Sequence, residues 1–207
     1  MLHTDSRFAQ AVEAAVTRLE ACTDAEIVVV AAPRSASGLD VAVLFGAGLA
    51  WLALLAMLWS PWAFHPAWIP IELALVGAFG AWVAHRRPGL LRRLISSRRL
   101  RAQVDHAADA AFHQEVVHGT RGRTGLLIYF SALEQRVALR PDLGLDARVP
   151  AGDWNAIRWG AAKDPRFCNR LEDFLAGLDA VGAVLARRVP HLEDNPNEIA
   201  NAPRIRS

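Results

Sequence analysis

The chain is 207 residues long, 53% of them hydrophobic, and its formal net charge at pH 7 is only +2. That length can bury the core of one domain, and the apolar excess is concentrated in a single stretch. The basic residues have no aromatic residues interleaved among them, which speaks against nucleic-acid binding. The two cysteines, Cys22 and Cys168, fall in segments assigned below to a reducing compartment, where a structural disulfide is not expected.

The first predicted elements are a helix and a strand. Apolar residues recur at helical spacing, which predicts an amphipathic helix from Asp5 to about Ala21, with Thr4 or Asp5 as its cap. The run Glu26 to Ala32 (EIVVVAA) is short, β-branched and almost entirely apolar, as in a strand buried on both faces. Residues 1–36 are therefore predicted to form the first part of a domain.

Residues 39–87 are predicted to form a transmembrane hairpin. No charge interrupts the sequence from Val41 to Trp59, and at ~1.5 Å per residue such a helix spans a hydrocarbon core of ~30 Å. A second apolar run, about 68–85, contains Glu72, which Pro70 places in the first helical turn and near the headgroups. The hairpin would thus consist of helices at about 41–59 and 68–85. The alternative is a buried hairpin in a soluble protein.

Charge and aromatic residues predict how this hairpin lies in the membrane. Trp59, Trp62 and Trp68 crowd the connecting loop, as in the aromatic belt of a membrane surface. The loop has no Lys or Arg, whereas seven arginines lie between Arg86 and Arg101. By the positive-inside rule both termini are cytoplasmic, and the predicted location is the cell inner membrane, with a multi-pass topology. The arginines from Arg86 to Arg101 are also predicted to contact anionic lipid headgroups.

Residues 98–190 are predicted to complete the same domain. Its elements are a helix with an apolar stripe from Leu100 to Ala111, strands at Gly125–Ser131 and Arg136–Pro141 joined by the turn Ala132–Gln135, and a long helix with apolar residues from Leu171 to Leu185. Residues 191–207 are rich in Pro, Asn and charge, which predicts a disordered tail. The predicted fold class is α/β, interrupted by the hairpin.

Two sets of side chains are candidate metal ligands. Asp142 and Asp146 flank Gly144 in the turn after the second of these strands, and Glu134 could approach from the other hairpin end. Oxygen ligands at this spacing can hold a hard divalent cation, although turns favour Asp for backbone reasons as well. The other set is His106, Asp109 and His113, which share one helical face. That face is opposite the apolar stripe, which favours a solvated surface.

Other catalytic signals are sparse. The sequence has no Gly-rich phosphate loop, no Cys-x-x-Cys pair and no nucleophile elbow. Trp154 and Trp159 are five residues apart and cannot share a helix face, so one of them is expected in the core and the other partly exposed.

The order of these elements resembles the TPM domain. The resemblance is carried by the helix before AEIVVVAA and, after the insertion, by the block TGLLIYFSALEQRVALRPDLGLDARV. The positions that match are Glu26, Phe112, Gly125, Ser131, Glu134, Val137, Asp142, Gly144 and Trp154. The resemblance covers about Arg7 to Pro190 without the hairpin. It implies a compact α/β/α sandwich, and a bacterial branch of the family carries a two-helix membrane insertion.

The resemblance implies little about chemistry. Phosphatase activity is attributed to some members and divalent-cation binding to others, and those members are mostly lumenal or extracellular. We therefore expect a membrane protein whose cytoplasmic domain is an interaction or assembly module for an unidentified membrane or cytoplasmic protein. No cofactor is expected other than a possible divalent cation. The alternative is a metal-dependent phosphate-ester hydrolase, with Glu134, Asp142 and Asp146 as its metal-binding acids.

Overall fold

A computed structural model describes residues 5–62, 64–161, 164–191 and 198–206. The chain divides into two compact units, residues 1–35 with 101–207, and residues 36–100. The helices of the described residues are α1 (Ser6–Glu20), α2 (Leu39–Trp59), α3 (Ile69–Arg86), α4 (Pro88–Leu94), α5 (Ser97–Gln114), α6 (Leu143–Arg148), α7 (Ala151–Ala156) and α8 (Leu171–Arg188). The strands are β1 (Glu26–Ala32), β2 (Gly125–Ser131), β3 (Arg136–Pro141) and β4 (Arg204–Ile205).

The sheet of the first unit has the strand order β3-β2-β1-β4. β1 and β2 are parallel, with Glu26 opposite Gly125 and Ala32 opposite Ser131, although the whole of residues 36–100 separates them in sequence. β3 is antiparallel to β2, and β4 is parallel to β1. All seven residues of β1 and of β2 are buried, which confirms the interpretation of both apolar runs as strands covered on both faces.

Successive side chains of β1 and β2 point to opposite faces of the sheet, and each face contributes to an apolar core. Ile27, Val29 and Ala31 pack on one face with residues of α1 and α8 such as Phe8 and Phe174. On the other face the intervening strand residues pack against α5, through Val104, Ala108 and Ala111. Helices thus cover both faces of a mixed four-stranded sheet, so the predicted α/β class is correct.

Near its two ends the first unit has a helix cap, at Asp5, and a short edge strand, β4. Asp5 caps α1 by accepting the Phe8 N–H at 3.0 Å, while the alternative cap, Thr4, lies outside the described residues. The predicted disordered tail is wrong where the structure describes it, because Arg204–Ile205 forms β4 and the Arg206 N–H donates to the Ala31 carbonyl at 2.9 Å. The remainder of that predicted tail, residues 192–197 and residue 207, lies outside the described residues.

The second unit is built on two packed helices, α2 and α3. Gly46 makes the closest approach, since a Cβ there would lie 2.2 Å from the Gly77 carbonyl oxygen. Of the described helices, α2 alone is long and apolar enough to cross a bilayer. α3 is shorter, has Pro70 and Glu72 in its first turn and ends at Arg86. The described residues therefore contain one helix that could cross a membrane by its length and composition, and the second span of the predicted hairpin is not shown.

Candidate functional site

The first predicted ligand, Glu134, lies in the turn between β2 and β3. Its carboxylate is buried, accepts the Ser131 hydroxyl, and accepts the Ser35 N–H at 3.2 Å to each oxygen. The adjacent Gln135 takes up a positive φ of 52° to complete the turn. These hydrogen bonds tie the chain that follows β1 to the β2–β3 turn, and they occupy both carboxylate oxygens of Glu134.

The other two predicted ligands lie at the opposite end of β3. Asp142 is buried and caps α6 by accepting the Leu143 N–H at 2.8 Å, and its other oxygen lies 3.0 Å from Nε of Arg123. Asp146 is exposed in the first turn of α6, and its N–H donates to the Asp142 carbonyl at 2.9 Å. The residues after β3 thus begin a short helix in place of the predicted turn, and Asp142 pairs with Arg123.

The structure does not bring the three acids together. β3 has six residues and is about 20 Å long, and it separates Glu134 at one end from Asp142 and Asp146 at the other. In the part of the chain that the structure describes, no three His, Cys, Asp or Glu side chains are grouped so as to hold a metal ion. Glu134 and Asp142 instead have structural roles as turn and helix caps.

In the second predicted set, on α5, the acid Asp109 faces β3. Asp109 pairs with Nε of Arg140, and Arg140 also reaches Asp105 at 3.1 Å. Burial lowers the pKa of Arg140, but the hydrogen bonds that it donates to Asp109 and Asp105, together with their negative charges, outweigh that effect and raise its pKa overall. His106 and His113 are exposed. This face of α5 is therefore held by ion pairs to the sheet, and its histidines do not converge with Asp109 on a metal site.

A cavity of about 200 Å³ opens beside β3, next to Asp146. Its lining consists of Val137, Leu139 and Pro141 of β3, Asp146 of α6, Ala151, Trp154 and Asn155 of α7, and Ile157, Trp159, Pro165 and Arg166 of the following loop. Because β3 alternates, its odd-numbered side chains share the face that forms one wall. The sequence pattern did not predict this cavity.

The two tryptophans of this cavity differ in their surroundings. Trp159 is buried in the core, with its ring 5.2 Å from that of Phe174, while Trp154 is half-buried, which confirms the predicted division between them. The indole Nε1 of Trp154 is buried and has no hydrogen-bond partner among the described residues. Asp146, Asn155 and Arg166 supply polar groups to an otherwise apolar lining. Such a mixture suits a small amphipathic group or one side chain of a protein partner.

Comparison with known proteins finds a similarity of fold but no similarity of sequence to a family model or a curated protein. No protein-family model matches it, and neither does any of the curated proteins compared. Among solved structures it is similar to the NMR structure of the BA42 protein from the psychrophilic bacterium Bizionia argentinensis, with a TM-score of 0.55 and 15% identity. That similarity covers 98% of this chain and 94% of the other. At this identity the likeness concerns the fold and not the activity.

Proposed function

We propose that this chain is a multi-pass membrane protein in which the α2–α3 hairpin anchors a cytoplasmic TPM-like domain that acts as a protein-interaction or assembly module. The observation that carries the proposal is the apolar surface of residues 36–100. The large apolar side chains that are at least half exposed there are Leu39, Val43, Leu44, Trp51, Leu52, Leu58, Trp59, Trp62, Trp68, Ile71, Leu75, Phe79 and Trp82. Soluble monomers rarely expose an apolar patch of this extent, and a lipid environment explains it.

The distribution of these side chains supports a hairpin of two spans. They lie on both helices and on the loop between them, so α3 presents apolar surface as α2 does. α2 is about 32 Å long and α3 about 27 Å, close to the thickness of a hydrocarbon core. Glycines bring the two backbones together at Gly46 and Gly77, as small residues do between membrane helices.

The charges at the helix ends support the orientation. Asp40 lies in the first turn of α2 and pairs with Arg99, and α3 ends at Arg86, so these charged groups lie at the end of the hairpin opposite the tryptophan-rich loop. Arg86 lies 5.6 Å from the ring of Trp82, as is common where a helix leaves the bilayer. The arginines between Arg86 and Arg101 would face anionic headgroups on the cytoplasmic side.

The interaction role rests on the cavity beside β3. Its apolar walls, formed by residues such as Leu139 and Trp154, can receive one apolar side chain of a partner, while Asp146 can pair with a positive charge next to it. The hydrolase alternative depended on convergence of Glu134, Asp142 and Asp146, and no observation in the structure favours it.

Extraction from membranes tests the anchor. A hairpin that crosses the bilayer stays with the membrane pellet in high salt and at alkaline pH, whereas attachment through the arginines alone is released by salt. We expect the full chain to require detergent. Release of the chain by 1 M salt would contradict the proposal.

Photo-crosslinking tests the interaction role. A photoreactive amino acid at Asn155, on the cavity, should crosslink to a discrete protein in intact cells. The matched control is Gln10, which is exposed on α1. Equal crosslinking patterns from both positions would argue against the cavity as the interaction surface.

A further inference from the structure

The edge strand β3 is covered less completely than the two strands at the centre of the sheet. β1 and β2 are buried along their whole length, whereas Leu139 and Pro141, which share one face of β3, are only half-buried. Side chains of the short helix α7 and of the loop that follows it stand opposite this face, and the cavity beside β3 lies between them. Apolar side chains of the sheet are therefore reachable from outside at this place.

The volume of the cavity beside β3 suits one aromatic ring. An apolar cavity of ~150 Å³ is large enough to bind benzene, and the cavity beside β3 has a volume of about 200 Å³. Trp154 and Trp159 form part of its wall, and aromatic rings attract one another in offset-stacked or edge-to-face contact. An aliphatic side chain such as leucine is smaller and would make fewer contacts with the two indoles. The lining therefore favours a ring over an aliphatic group.

The charges of the lining favour a basic group beside that ring. The charged side chains of the lining are Asp146 and Arg166. Arg166 pairs with Asp105 at 3.2 Å, so its charge is balanced within the domain. Asp146 is exposed, and among the described residues its carboxylate has no ion pair within 4.0 Å. The unbalanced charge next to the cavity is therefore negative, and it complements a lysine or arginine.

We propose, on the basis of the interaction role above, that the cavity beside β3 receives an aromatic side chain of the partner protein and that a lysine or arginine next to it in the partner's sequence pairs with Asp146. The ring supplies most of the affinity, since aromatic side chains that fill pockets dominate protein interfaces. The ion pair is exposed and contributes less, so its role is to select partners with a basic neighbour.

Three short peptides test both parts of the proposal on the full chain in a non-ionic detergent. They are Phe-Lys, Phe-Gln and Leu-Lys, each N-acetylated and C-amidated. Binding is followed by the isotope-labelled indole N–H signal of Trp154, which is identified by its loss in Trp154→Phe. This N–H has no hydrogen-bond partner among the described residues, so its resonance should respond to a ring or an acceptor placed nearby.

We expect Phe-Lys to shift the Trp154 signal in a saturable manner. The Kd of Phe-Gln should be about two- to fivefold higher, because an exposed ion pair is lost. The Kd of Leu-Lys should be higher than that of Phe-Lys by about twofold or more, because the ring contacts are lost. The control signal is that of Trp51 in α2, which does not line the cavity and should not distinguish the three peptides.

Two variants test the role of the carboxylate. Asp146→Asn should raise the Kd of Phe-Lys to that of Phe-Gln. The matched control is Asp179→Asn, which changes an exposed acid of α8 that does not line the cavity, and it should leave the preference for Phe-Lys unchanged. If Asp146→Asn does not fold, the comparison of Phe-Lys with Phe-Gln on the native chain still tests the charge.

The outcomes that contradict this proposal differ from those that contradict the interaction role. Absence of a saturable shift with Phe-Lys, or an equal Kd for Phe-Lys and Leu-Lys, would overturn the aromatic occupant. An equal Kd for Phe-Lys and Phe-Gln on the native chain, or a preference for Phe-Lys that persists in Asp146→Asn, would overturn the pairing with Asp146. A discrete protein crosslinked from Asn155 in cells, together with either of these results, would support the interaction role and refute the proposed partner chemistry.

Discussion

Gly177 of α8 lies against the buried indole of Trp159. A Cβ at this position would lie 2.3 Å from Cε3 and 2.7 Å from Cδ2 of Trp159. The indole is 1% exposed and packs against Phe174, so it cannot move away without opening the core. Gly177→Ala should therefore destabilise the domain, although alanine is the better helix former.

The size of the effect follows from two opposed contributions. Forcing a methyl group into a packed core costs ~1–3 kcal/mol, and replacing Gly by Ala inside a helix returns ~1 kcal/mol. We expect a net loss of up to ~2 kcal/mol in the free energy of unfolding, or up to about 8 °C in Tm for a chain of this size. The shifted indole should also alter the cavity beside β3, which Trp159 lines.

Pulse proteolysis of the full chain in mild detergent, across a urea series, measures this loss. The matched control is Gly152→Ala in α7, where a Cβ would meet no atom within 4 Å. That variant should be unchanged or more stable by ~0.4–1 kcal/mol. A Gly177→Ala chain as stable as Gly152→Ala would refute the packing that we describe around Trp159.

Three further predictions concern ion pairs, thiols and cations. Arg140→Met removes the pairs with Asp105 and Asp109 and should lower the free energy of unfolding by ~1–2 kcal/mol; an unchanged urea midpoint would contradict it. In the native chain N-ethylmaleimide should modify exposed Cys22 but not Cys168, because burial raises the pKa of that thiol to about 12; mass spectrometry showing both modified without denaturant would contradict it. Millimolar calcium or magnesium should leave the melting temperature unchanged, and Asp142→Asn should lower it with or without cation, because the pair with Arg123 is lost. A calcium-dependent rise in the melting temperature that disappears in Asp142→Asn/Asp146→Asn would show that these two acids bind a cation.

The larger elements were predictable because their residues carry the signal locally. EIVVVAA and GLLIYFS form strands at the predicted positions, since β-branched and apolar runs of this length fit a sheet buried on both faces. β3 and the Ala132–Gln135 turn follow the prediction too. By contrast β4 has two residues and no local pattern, and it depends on the edge of β1 and on Glu115 for its place.

The candidate site was predictable only in part, because it depends on which groups meet in space. The spacing of Asp142 and Asp146 suggested ligands, but it could not show that Arg123 would pair with Asp142. The predicted approach of Glu134 failed because β3 is fully extended between it and the other acids. The raised pKa of Glu20 was not predictable either, since it arises from burial of the carboxyl in the folded chain.

Cysteine accessibility in intact cells tests the membrane hairpin most directly. Cys168 is unsuitable as a probe because it is buried in the folded domain, so the reporters are exposed Cys22 and a cysteine introduced at Ala67, which is exposed beside Trp68 in the connecting loop. With a membrane-impermeant maleimide we expect labelling at position 67 in intact cells and at Cys22 only after the cells are opened. Labelling of Cys22 in intact cells, or of position 67 only after lysis, would contradict a hairpin with both flanks in the cytoplasm.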